Sequence, residues 1–220
     1  MTPASRPITL HDLDAHCAAF IRDHMSATDP AHDPMHVMRT LANARQLAAI
    51  EGARLEIVVP AAWLHDCVSV PKTSPLRSQA SRLAAAEAIR LLQSWGCDPA
   101  WLPEIQHAIE AHSFSADIAP RTIEAQVLQD ADRLEALGAV GLARTLMLGG
   151  YLRRPLYVPD DPFCEARPAD DRASTVDHFY TKLLHLSGTM QTDAGRREAE
   201  TRTRLLRTFL DELRRELSVG

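Results

Sequence analysis

The residues best able to do chemistry sit on apolar helical stretches. Trp63-Leu64-His65-Asp66 closes the most apolar run of the chain. Burying an ionised Asp beside a His with no partner costs several kcal/mol. A divalent metal removes that cost, because imidazole and carboxylate are among its natural ligands. An Asp that accepts from the His ring and caps a neighbouring helix would also remove it, so the dipeptide alone does not choose. His36 opens a second amphipathic stretch, followed by Val37, Leu41 and Ala42. Gln129-Asp130-Ala131-Asp132-Arg133-Leu134 places two more carboxylates on an apolar helix. Residues two apart diverge by about 200° around a helix, so only one of Asp130 and Asp132 faces a single ion. The helical wheel leaves both open. Asp130 falls within the arc of Val127, Leu134 and Leu137, and Asp132 lies at its edge beside Leu128. His107 and His112 stand five residues apart on one helix, so they point about 140° from each other and do not readily converge on one ion.

These residues need helices to position them, and the dominant period is helical. Thr9 can cap a helix bearing Leu10, Leu13, Cys17, Phe20 and Ile21. Asp33-Pro34 is a cap followed by proline at the first helical position, and that helix runs from His36 toward Gly52. Asp33 is thereby better read as a cap than as half of a His32-Asp33 metal pair. Residues 55–66 are apolar nearly all round and predict a central buried helix. A loop at 68–77 follows. Ser78 is expected to cap a helix ending at Gly96, and Asp98-Pro99 to start one ending near His112. Further helices are expected over about 122–137, up to Gly149-Gly150, over about 174–187 and over about 192–217, the last capped by Thr192. Residues 151–173 carry four prolines and form the longest irregular segment, the kind often used as a lid or binding loop. The expectation is an all-α chain of about nine helices in a single domain spanning 1–220. Its site core covers about 30–140 and its C-terminal helices about 174–217.

Composition excludes several classes. The chain has 220 residues, 45% hydrophobic and 24% charged, with a net charge of −5. A chain of this length buries enough surface to build a core without staples, and its composition is not that of a disordered protein. No global basic field is present, so a nucleic-acid polymer is not an expected partner. Charges interrupt every apolar run well short of a membrane span. The four cysteines are widely spread, with no C-x-x-C, as expected of free thiols in a cytoplasmic protein. Lysine is confined to Lys72 and Lys182, so arginine must do most of any phosphate binding. Lys72, Arg77 and Arg82 follow the His-Asp pair and are candidates to face a phosphate, with a solvated loop edge as the alternative. Arg133 is expected to pair with Glu104 or Glu135. His178 and Lys182 either line a pocket or follow the packing of Phe179.

The order His, then His-Asp, then Ala-Asp-x-Leu, each on its own helix, resembles the HD superfamily of metal-dependent phosphohydrolases. The stretches HDPMHVMRT, AAWLHD, PKTSPLRSQASRLAA, IEAHSFSA, QDADRLEALGAVGLART and DHFYTKLLHL are similar, more narrowly, to bacterial YedJ-like HD hydrolases. The likeness runs from about 10 to 215. It implies a helical bundle and one divalent ion per chain, Mn²⁺, Mg²⁺ or Fe²⁺, held by His36, His65, Asp66 and Asp132. It prefers Asp132 to Asp130 and His36 to His32. His65 and Asp66 would be catalytic through that ion, with His112 binding the leaving group or phosphate. The implied reaction is attack of an activated water on a small phosphate ester, with nucleotides the leading substrate class. A homodimer is compatible with this reading. The rivals are an HD-type diiron oxygenase, which needs both His107 and His112 as ligands, and a non-catalytic metal-binding regulator.

Overall fold

The computed structural model describes residues 8–25, 34–70, 74, 76–113 and 116–218. His32, Asp33 and Lys72 lie outside them, as does the side chain of Arg77. The described residues are all-α, with nine α-helices, short 3-10 turns and no strand. They fall into two compact units, residues 1–132 and 133–220.

In the first unit, α1 (Leu10–His24), α2 (Pro34–Glu51), α4 (Ala80–Ser94) and α5 (Leu102–His112) surround α3 (Leu55–Leu64). The sixth helix, α6 (Ile123–Leu134), supplies Asp132 at the end of the unit. The apolar run from Ile57 to Leu64 is buried at every position, which is what a helix without a polar face requires. The surrounding helices turn single stripes toward the core. Leu13, Cys17 and Ile21 are buried on α1, and Val37, Leu41, Ala44, Leu47 and Ala48 on α2. Thr9 caps α1 in a reciprocal box with Asp12. Gly52 and Gly96 take positive φ just past α2 and α4 and stop both helices where expected.

Two starts differ from expectation. Ser78 does not cap α4; it lies inside a 3-10 turn, Arg77–Gln79, that leads into the helix. Asp98 does not cap α5 directly. Its carboxylate accepts the Ala100 N–H at 2.9 Å and closes a turn, and α5 starts after Trp101. In the second case the polar side chain satisfies a nearer turn before the helix begins.

The second unit contains α7 (Gly138–Tyr151), α8 (Asp177–Thr181) and α9 (Asp193–Leu217). The helix expected over 174–187 is split. Lys182 leaves helical geometry, and a 3-10 turn, Leu183–Thr189, follows α8. Thr192 caps α9 by accepting the Gly195 N–H. Phe179 is buried and stacks on Phe209 of α9 at 5.7 Å. Arg133 donates to the Thr189 carbonyl, while Glu104 in the first unit pairs with Arg54. His178 hydrogen-bonds Asp171 through Nδ1 at 3.0 Å.

The long proline-bearing segment is tightly tied within its own unit. Asp161 accepts the backbone N–H groups of Glu165, Ala166 and Arg167. The Arg167 guanidinium makes two bonds to the buried Asp177, which also accepts from the Asp170 N–H and the Ser174 hydroxyl. The Arg167 bonds, outweighing burial, hold the Asp177 carboxyl well below the usual carboxylate range. A depressed native pKa stabilises the fold above the unfolded value of about 3.9 and ceases to do so as pH falls through the native value. Asp177→Asn is expected to cost roughly 1.5–3 kcal/mol near neutrality. In denaturant titrations, the gap between wild type and variant should be full above about pH 4 and shrink below it. A constant gap across that range contradicts the assignment.

The end of α7 carries a second check. The helix ends at Tyr151, one residue past the expected Gly149-Gly150. A Cβ on Gly149 would sit 2.2 Å from the Thr175 hydroxyl, and one on Gly150 would meet nothing within 4 Å. Gly149 is therefore a close-approach residue and Gly150 is not. Gly150→Ala should be neutral or stabilising by up to about 1 kcal/mol, from helix propensity. Gly149→Ala should lower the melting temperature despite the same propensity gain. Equal effects would show that Thr175 does not constrain the helix.

Candidate metal centre

Four helices of the first unit deliver polar side chains to one point. His36 stands in the first turn of α2 and is buried. His65 follows the last residue of α3, still in right-handed helical geometry, and is fully buried. Asp66 follows it and is half-buried. His112 is the last residue of α5 and is buried. Asp132 comes from α6 and is half-buried. One ligand atom each of His36, His65 and Asp66 lies within 4.8 Å of the others. Asp132 Oδ1 is 3.3 Å from His36 Nε2 and 4.0 Å from His65 Nε2. Asp66 spans two rings, with Oδ2 3.7 Å from His65 Nε2 and Oδ1 3.6 Å from His112 Nε2.

The hydrogen bonds fix which ring atoms face inward. His65 Nδ1 is 2.7 Å from the Ala62 carbonyl, and His112 Nδ1 is 2.6 Å from the Ile109 carbonyl. A carbonyl only accepts, so each Nδ1 carries the proton. Burial, against the opposing pull of Asp66, lowers the His65 pKa and keeps the ring neutral. Its Nε2 is then a lone pair. That atom is buried and has no hydrogen-bond partner among the described residues. A lone pair and two carboxylates thus face one another with no donor between His65 and either acid. A cation is what such a set of acceptors fits.

The two other charges respond to this arrangement. Burial works against the charge of Asp132, but the His36 hydrogen bond and the neighbouring rings overcome it and hold the carboxyl well below its usual range. Burial also opposes a charged His112, yet the hydrogen bond and charge of Asp66 outweigh it and raise the imidazole pKa.

The remaining candidates stand elsewhere. Asp130 is fully buried on α6, about 200° around the helix from Asp132. His107 Nε2 accepts the Arg121 N–H at 3.0 Å, so the two histidines of α5 serve different partners. Arg82 is exposed on α4, and Arg77 opens the 3-10 turn before it. His178 and Lys182 belong to the second unit. Three polar residues escaped sequence reasoning: Asn43, Ser81 and Gln129. Their side chains bond the backbone carbonyls of Ala131, Glu110 and Ala111, next to Asp132 or near His112. The one available signal was a polar side chain on an otherwise apolar helical face.

Comparison with known proteins places this centre in a family. The HD-domain profile matches residues 35–137, which contain all five side chains of the cluster. The uncharacterized protein YpgQ of Bacillus subtilis is 31% identical over 202 residues, covering 90% of each chain. The crystal structure of YpgQ in complex with ADP superposes with a TM-score of 0.75 at 29% identity, covering 96% of this chain and 98% of that one. An HD-superfamily hydrolase from Bacillus thuringiensis superposes with a TM-score of 0.76 at 28% identity, covering 96% of this chain and all of that one. Extended similarity to YpgQ, together with the profile match over the cluster itself, leads to one conclusion: the chain belongs to the HD-domain family.

Proposed function

We propose that the protein is a metal-dependent phosphohydrolase that acts on a small phosphate ester, with nucleotides as the substrate class. The observation that carries this reading is the buried, partnerless His65 Nε2 facing Asp66 and Asp132. The proposed ligands of one divalent ion are His36, His65, Asp66 and Asp132. Bound there, the ion would lower the pKa of a water and polarise a phosphoryl oxygen. The chain's own residues do the rest. Ala62 holds the His65 ring by its Nδ1–H and so directs Nε2 at the ion. His112 keeps its Nε2 beside Asp66, where it can hold a proton for the leaving group or bond a phosphate oxygen. Lys72, Arg77 and Arg82 are assigned to the substrate phosphates on the chemistry of their side chains. ADP in the YpgQ crystal structure supports a nucleotide as the ligand.

The diiron reading is not favoured, because it needs His107, and that ring is engaged with Arg121. A non-catalytic regulator differs by its lack of turnover. The decisive experiment assays purified protein on phosphomonoesters, phosphodiesters and nucleotides with Mn²⁺, Mg²⁺ or Fe²⁺. Turnover is expected with at least one ion and to vanish with chelator. Asp132→Asn should abolish it by removing a charged ligand. Asp130→Asn should retain it, with stability lowered by about 1–3 kcal/mol if a buried hydrogen bond is lost. Retained turnover in Asp132→Asn with loss in Asp130→Asn would reverse the assignment, and no turnover on any ester would favour the regulator.

A further inference from the structure

Gln129 is costly to bury. It lies on α6 with almost no exposure, and its Nε2 donates to the Ala111 carbonyl at 2.7 Å. Its Oε1 is buried with no hydrogen-bond partner among the described residues. An unpaired buried acceptor is destabilising, and an apolar side chain of similar volume would fill the space without that penalty. What an apolar side chain cannot do is bond the Ala111 carbonyl. That carbonyl belongs to the last turn of α5, where carbonyls have no partner within the helix. Three of them are met by side chains. Ile109 is bonded by His112 Nδ1 at 2.6 Å, Glu110 by the hydroxyl of Ser81 on α4 at 3.0 Å, and Ala111 by Gln129. Ser81 is also buried. The end of α5 is thus clamped from two neighbouring helices, immediately before His112.

We propose that Ser81 and Gln129 are positioning residues. They hold the last turn of α5 so that the His112 ring keeps its Nδ1–H on Ile109 and its Nε2 toward Asp66. A helix end without such partners frays, and a small displacement of a positioned group is enough to lose a productive contact. The proposal rests on the phosphohydrolase reading only in giving His112 a substrate-facing role. The clamp itself needs no ion.

The test is nitrogen-labelled histidine NMR on the full chain in EDTA, reading solvent exchange of the ring Nδ1–H protons of His112 and His65. Wild type should show slow exchange at both. Ser81→Ala and Gln129→Leu should speed exchange at His112 at least tenfold and leave His65, bonded to Ala62, unchanged. Ser81→Thr retains a hydroxyl and should restore slow exchange at His112. The proposal is overturned if both disruptive variants lower the melting temperature but leave His112 within twofold of wild type. It is equally overturned if His65 accelerates to the same extent, which is the signature of a general loosening. If Gln129→Leu does not fold, the Ser81→Ala and Ser81→Thr pair decides the matter. Absence of phosphatase turnover in the wild type would count against the proposed function and leave the exchange result standing.

Discussion

The first unit buries an acceptor that, among the described residues, has nothing to accept from. His65 Nε2 sits in the interior with its lone pair turned toward two carboxylates. Left alone, the buried Nε2 is an unsatisfied acceptor and costs free energy, although His36 and His112 already support the two carboxylates. The ring cannot escape by charging, since burial lowers its pKa. It cannot turn, since Nδ1 is committed to Ala62. The fold therefore holds a preorganised set of inward-facing acceptors that a cation would satisfy. Folding stability and ion affinity are two sides of the same free energy in such a site.

The apolar α3 is what makes this arrangement hold. Its side chains from Ile57 to Leu64 are all buried, so it is fixed on every side by α1, α2, α4 and α5. The His-Asp pair at its end inherits that rigidity. A site built on packed helices keeps its geometry better than one built on loops. The other members arrive on the ends of helices, His36 at the start of α2 and His112 at the finish of α5. Asn43, Ser81 and Gln129 then secure backbone carbonyls around them. The second unit follows a different logic. Its longest irregular stretch is held by one buried carboxylate, Asp177, rather than by apolar packing alone.

Much of this was legible in the sequence because the relevant signals are local. Hydrophobic period and caps place α1, α3 and α9, with Thr9 and Thr192 capping as expected. The His-Asp pair stands out because charge at the end of a wholly apolar helix needs a reason. What could not be read depends on tertiary partners. Ser78 and Asp98 look like caps, but each joins a turn that precedes the helix. Gly149-Gly150 marks the end of α7 to within a residue, but the packing of Gly149 against Thr175 depends on the tertiary fold. The wheel could not choose between Asp130 and Asp132, because the choice depends on where α2 and α3 lie, and the structure sets Asp132 against His36 and His65. Gln129 and Ser81 were silent for the same reason: their partners are backbone carbonyls of another helix.

The proposed role of the His65 lone pair is to bind a cation shared with His36, Asp66 and Asp132. The most direct measurement is anomalous X-ray diffraction at the manganese edge from crystals grown with Mn²⁺. A single strong peak per chain is expected within bonding distance of His65 Nε2, roughly 2–2.3 Å, and touching the other three side chains. No peak at that position, with His65 Nε2 hydrogen-bonded instead to a water or a protein donor, would contradict it.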